Sequence, residues 1–289
     1  GYTTGGASDA TARIINRPLE QILKQSVVTD YKPGAGASIG AEFVARAAPD
    51  GYTIGLTDTG PLCIMPHLRK VSYDPLTSFT PLSYICTTGL VLIVNPELPV
   101  NNIQELIAMA KKRPGSLSYA SSGVGSVHHL AGELFKARAG VSIVHIPYRG
   151  AGPALTDLVG GQIPVMFATI GPALSMISAG KARALGVTSL TRSASLPNVP
   201  TIAERGLNGY EAVLRFYVMG PAKMPQLITT KLQSDFKTVV TDSTVIAELK
   251  KLGNDEIGYK SPSEIEALIQ DDYRKWGNLI TQTKITLDT

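Results

Sequence analysis

Residues 116–130, Ser-Leu-Ser-Tyr-Ala-Ser-Ser-Gly-Val-Gly-Ser-Val-His-His-Leu, leave the backbone few options. Residues 117–120 alternate and read as a strand, Ser121-Ser122-Gly123-Val124-Gly125-Ser126 reads as a loop, and Val127, Leu130, Ala131, Leu134 and Phe135 open a helical period. At a helix start several backbone N–H groups lack an intrahelical acceptor and the macrodipole is positive, while glycines let a ligand approach the main chain. The loop contains no Lys, Asp, Glu or Cys, so it is suited to holding a small anion rather than to chemistry on one. A plain strand-to-helix turn with Ser126 as N-cap is the alternative reading.

The same grammar recurs along the chain. After Gly5-Gly6-Ala7-Ser8, Asp9 is placed to cap a helix whose face is Ile14, Ile15, Leu19, Ile22 and Leu23, with a kink expected at Pro18. A strand at residues 27–30, the turn Pro33-Gly34-Ala35-Gly36, a helix to about Ala47 and a strand at residues 52–56 follow. Residues 143–146, the turn Arg149-Gly150-Ala151-Gly152, a helix with Pro153 at its first position and a strand at 163–167 repeat that order. Two similar α/β halves are expected. Residues 90–94 read as a buried strand ending at Asn95-Pro96, Asn102 with Glu105 and Thr201 with Glu204 as capping boxes, and 212–219 as an apolar strand broken by Gly220-Pro221. From Pro225 onward the periodicity is helical, with no further strand expected. Crossovers near Asn95 and Gly220 predict a lobe at residues 98–221 inserted into a lobe formed by 1–97 and 222–289. Hinged α/β lobes of this kind close on a small ligand between them.

Composition narrows the function. With 289 residues, 44% hydrophobic and 17% charged, the chain has ample material for a core. Its 27 basic and 23 acidic residues are dispersed, with no basic block to track a phosphate backbone, so nucleic acid is a poor partner. No apolar run approaches the ~18 residues of a membrane helix. The start at Gly1, without methionine or signal peptide, suggests a processed product. Cys63 and Cys86 form no CxxC, which leaves buried thiols or a single disulfide open.

Three further features admit two readings each. Gly36-Ala37-Ser38-Ile39-Gly40 matches a GxSxG nucleophile elbow, but no histidine follows His145, so a helix start is preferred over a Ser38 hydrolase. Neighbouring His128 and His129 point about 100° apart on a helix, which suits packing or cleft lining, one toward the core and one toward the loop, better than a metal. Arg215 interrupts an apolar strand and must be paired, aimed at an anion, or solvated at an edge.

Several long motifs together resemble the Bug (TctC-like) substrate-binding proteins of tripartite tricarboxylate transporters. Gly5-Gly6-Ala7-Ser8-Asp9, Tyr31-Lys32-Pro33-Gly34-Ala35-Gly36-Ala37-Ser38-Ile39-Gly40, Ala48-Pro49-Asp50-Gly51-Tyr52-Thr53 and Tyr73-Asp74-Pro75 resemble the first lobe. The Tyr119 to Ser126 loop, His129-Leu130-Ala131-Gly132-Glu133-Leu134-Phe135, His145-Ile146-Pro147-Tyr148-Arg149-Gly150 and Leu196-Pro197-Asn198-Val199-Pro200-Thr201 resemble the second. The resemblance implies a two-lobed periplasmic binding protein of α/β class, a type II-like Venus flytrap with two crossover strands. It implies a monomer without cofactor or metal that delivers a small organic acid to membrane permease subunits. It places the ligand between Thr4, Gly6, Ala7, Ser8, Asp9, Thr57 and Asp58 of one lobe and Ser121, Ser122, Gly123, Gly125, Ser126, His128, Ala168 and Thr169 of the other, with Arg215 and Phe216 beside them.

Three departures refine that expectation. The family's strand before its Gly-Gly segment is absent here, so the first lobe would lack an edge. Ala168 stands where relatives often carry Asp, which disfavours an ammonium-bearing ligand, and Arg215 with Phe216 stands where many carry Trp. A guanidinium beside a ring fits a second carboxylate, that of a flat or aromatic acid included, so a dicarboxylate is expected. A sensor subunit presenting the same ligand to a receptor kinase is the alternative within this class.

Overall fold

The computed structural model describes residues 7–286. Its contacts divide the chain into two units: Gly1–Thr87, Arg215–Leu252 and Glu256–Thr289 form unit 1, and Thr88–Leu214 with Gly253–Asp255 form unit 2. The chain changes unit at 87/88 and 214/215, upstream of the expected 97/98 and 221/222. The cause is the strand β2, Phe79–Val94, whose sixteen residues run through the boundary without a break. All but Thr80 are buried, so neither face shows the polar alternation that reveals a half-buried strand, and only its last five residues were legible.

Unit 1 begins with α1 (Ala7–Leu23), which buries Ala12, Ile15 and Leu19 and continues through Pro18. A proline removes one hydrogen bond, and the buried turns on either side keep the helix whole. Residues 27–30 are not a strand among the described residues: none of those pairs with them, and Val28 is 86% exposed. After α2 (Ser38–Ala45), β1 (Gly55–Asp58) pairs antiparallel with β7 (Val213–Pro221), in the register Thr57 to Tyr217 and Asp58 to Phe216. A single π-turn, Gly60–Ile64, leads into α3 (Met65–Leu68). The helices α8 (Gln226–Thr241) and α9 (Ser243–Lys251) pack on α1. The two-residue strand β8 (Glu256–Ile257) then pairs with Cys86 and Thr87, a strand that the helical pattern hid. The last helix, α10 (Pro262–Thr283), starts at the Ser261/Glu264 capping box and buries Ile265, Ile269, Trp276 and Ile280.

Unit 2 is built on the second half of β2. It pairs antiparallel on one side with β5 (Val165–Thr169) and on the other with β6 (Arg183–Val187). Beyond β5 lie β3 (Ser118–Ser121) and β4 (Val144–Pro147), both parallel to it or to each other, so the order is β4-β3-β5-β2-β6. The helices α4 (Ile103–Lys112), α5 (Val127–Ala139), α6 (Ala151–Val159) and α7 (Ile170–Ser178) complete the α/β arrangement. Pro153 is the third residue of α6, not its first. The core joins Val91, Ile93, Ala120, Leu158, Met166, Ala168 and Ile170. Parallel strands put the C-terminal ends of β3, β4 and β5 at one edge, which is where α/β sheets bind ligands.

Candidate functional site

The loop from β3 to α5 meets that edge. Ser126 has extended backbone and its Oγ accepts from His129 N (3.2 Å), while the same hydroxyl donates to Gly123 O (2.7 Å). Gly123 and Gly125 take φ of 129° and 77°, values that side chains oppose, and so permit the tight return. The Gly123 amide is used by Ser121 Oγ (3.1 Å) and the Gly125 amide by His129 Nδ1 (3.2 Å). The first helical bond runs from Leu130 N to Ser126 O. The amides of Val127 and His128 thus have no acceptor among the described residues, and they sit at the positive end of a thirteen-residue helix.

Three histidines support this loop, two of them on α5. His128 Nδ1 is 2.8 Å from Ser122 Oγ and its Nε2 is 3.0 Å from Thr169 Oγ1. His129 stacks on His145, with centroids 3.9 Å apart, and His145 Nε2 lies 2.7 Å from Ser121 Oγ. Burial pushes the pKa of His128 down to about 4. It does the same for His129, to about 4, with help from Lys136. Burial, then the neighbouring His129, takes His145 to about 3. All three are neutral at pH 7. The expected division, one histidine inward and one toward the loop, is corrected: both are buried and both bond the loop, because the loop folds back over the first turn of α5. His145 was missed. It reaches Ser121 only through the parallel register that sets His145 beside Tyr119, which no local pattern reveals.

Other candidates fall into place differently. Thr169 ends β5 at the same edge and is the N-cap of α7, yet its hydroxyl makes no cap bond and is turned to His128. Ala168, on the opposite face of β5, is 2% exposed within the apolar core. Its methyl group belongs to that core and not to the Ser122–His128–Thr169 hydrogen bonds, so it gives no ground for choosing among ligands by charge. In unit 1, Ser8, Asp9, Thr57 and Asp58 line a cavity of ≈ 1010 Å³. Asp9 Oδ1 accepts from Tyr31 Oη (2.5 Å) and Arg13 Nε (3.0 Å), Asp58 Oδ1 accepts from the Gly60 amide (2.8 Å), and the Thr57 hydroxyl is buried without a partner among the described residues. Ala7 opens α1; Thr4 and Gly6 lie outside the described residues. Arg215 meets a carboxylate, but the chain's own: Nη1 lies 2.8 and 2.6 Å from the two oxygens of Asp272. Its assignment to a ligand carboxylate is corrected accordingly, since its charge is already balanced, and Phe216 is 1% exposed in the core.

The hydrolase reading finds no support: Ser38 Oγ donates to Ala35 O (2.7 Å), and His67, the histidine of that unit, is engaged by Tyr273 O (2.9 Å). Among the described residues no cluster of His, Cys, Asp or Glu is placed to hold a metal, and no helix is long and apolar enough to cross a membrane. Cys63 and Cys86 are both free and buried.

The family model described as the tripartite tricarboxylate transporter family receptor (TctC) matches residues 11–285. Protein BugT of Bordetella pertussis is 33% identical, over 98% of this chain and 87% of its own length. Among solved structures, Rpa4515 of R. palustris with adipate superposes with a TM-score of 0.91 at 33% identity, covering 99% of this chain and 95% of that one. MatC (Rpa3494) of Rhodopseudomonas palustris with bound malate gives 0.87 at 27% identity, covering 96% of each.

Proposed function

The chain belongs to the TctC family of tripartite tricarboxylate transporter receptors, and on that premise we propose that it captures a small organic dicarboxylate in the periplasm and hands it to the membrane permease of such a transporter. One observation carries the reading. The unused amides of Val127 and His128 stand at the start of α5, beside the Ser121–Ser126 loop with its hydroxyls and without a lysine, arginine or acid in the loop. Neutral, oriented donors at a helix N-terminus suit a carboxylate that must be both held and released. Adipate and malate, carried by two relatives of known structure, are both aliphatic dicarboxylates, which supports that class over monocarboxylates. With Arg215 engaged by Asp272, the second carboxylate is not assigned to it. The chain acts as a monomeric carrier in this reading, binding without turnover.

A thermal-shift panel tests it, comparing monocarboxylates, aliphatic and aromatic dicarboxylates, tricarboxylates, amino acids and sugars. A ligand at 100 times its Kd adds about 2.7 kcal/mol, which raises Tm by several degrees for a chain of this size. Shifts confined to dicarboxylates are expected. Shifts with amino acids or sugars alone, or none with adipate, malate or any other acid, overturn the proposal.

A further inference from the structure

His128 is held by two hydroxyls, Ser122 on the β3–α5 loop and Thr169 at the end of β5, one on each ring nitrogen. The ring is 7% exposed and neutral, so one nitrogen carries a hydrogen and the other a lone pair. It donates to one hydroxyl and accepts from the other. The hydroxyl that receives the ring N–H keeps its own hydrogen to give away, whereas the hydroxyl that gives its hydrogen to the ring can afterwards only accept. One of the two, never both, is then a donor to an anion.

The neighbouring His129 has no such freedom. Its Nδ1 accepts from the Gly125 amide (3.2 Å), a donor that cannot reverse, so the neutral ring carries its hydrogen on Nε2. Around His128 both partners are reversible. Thr169 is also released from its usual duty: as N-cap of α7 it would accept from the N3 amide, but that position is Pro172, which has none. Ser122 is the less buried of the two hydroxyls and lies in the loop next to the unused helix amides.

Resting on the carboxylate reading above, we propose that His128 is a positioning residue: with ligand bound, Thr169 Oγ1–H donates to Nε2, Nδ1–H donates to Ser122 Oγ, and Ser122 is thereby made the hydrogen-bond donor to the ligand carboxylate. Thr169 then governs affinity without touching the ligand, acting through the ring.

Adipate and malate serve as probes. In 15N-labelled wild-type protein saturated with either, the His128 Nδ1 resonance takes the position of a protonated ring nitrogen and Nε2 that of an unprotonated one; the reverse pattern, or two protonated nitrogens, overturns the proposal. A double-mutant cycle supplies a second readout. Ser122→Ala and Thr169→Val each weaken binding about 10-fold, the scale of one hydrogen bond to a charged group, and the double variant is no weaker than Ser122→Ala. Additive losses, or an unaffected Thr169→Val, overturn it as well. If wild-type protein binds neither probe nor any other acid of the panel, the carboxylate reading fails and this proposal with it; if it binds and the tautomer or the cycle disagrees, this proposal alone fails.

Discussion

Both carboxylate oxygens of Asp272 on α10 are within 2.8 Å of Arg215 Nη1 on β7, and the two side chains are only 6% and 11% exposed. An ion pair this deep stabilises little over an apolar pair of the same shape, but removing one partner takes the closest opposite charge away from a side chain that stays buried. Asp272→Ala and Arg215→Ala are therefore each expected to lower stability by about 3–5 kcal/mol, measured by urea unfolding. The double change Arg215→Met with Asp272→Leu should be closer to wild type than either. Carboxylate affinity in Arg215→Met/Asp272→Leu should stay within about threefold of wild type, which is under the 1.4 kcal/mol that a tenfold change requires.

The buried histidines predict a pH dependence. Their folded pKa values, about 4 for His128 and His129 and about 3 for His145, lie below the ordinary value of 6.5. The unfolded chain thus binds more protons as pH falls below 6.5, and stability drops from there toward pH 4. Each fully buried histidine contributes up to about 1.4 kcal/mol per pH unit in that window. Urea midpoints at pH 7, 6 and 5 should fall progressively, and His129→Gln should flatten the slope. A midpoint constant over that range would contradict the burial of these rings.

Gly132 on α5 faces Tyr119: a Cβ there would lie 2.2 to 2.7 Å from the Tyr119 ring and hydroxyl. Tyr119 is 1% exposed and donates to Glu133 Oε1 (2.8 Å), so it has no room to retreat. Gly132→Ala should cost about 1–3 kcal/mol through overpacking despite the better helix propensity of alanine, read as a lowered Tm. A neutral or stabilising result would show that the ring shifts freely.

The two cysteines should behave as inert thiols. Both are 0% exposed, and burial raises their pKa values above the ordinary thiol range. Thiol titration of the native protein is expected to show no rapid reaction, and two equivalents in denaturant, with or without prior reduction.

What the amino-acid order determined by itself is local. The Ser126 cap, the glycines at positive φ, the Ser261 capping box and the start of α5 depend on neighbours a few residues away, so the chain displays them directly. The long motifs likewise sufficed for the family. Tertiary structure decided whatever depends on residues far apart in the chain. It made β2 one strand of sixteen residues, because burial on both faces erases the alternation that would mark it. It left residues 27–30 without a pairing strand among the described residues, and a strand exists only where a partner lies alongside. It placed His145 against Ser121 through a register, gave Arg215 its carboxylate from a helix 57 residues later, and turned Ala168 into the core. A charge or a hydroxyl in the sequence states only that a partner is needed. Which partner it finds is set by packing, and packing joins residues that the sequence keeps apart.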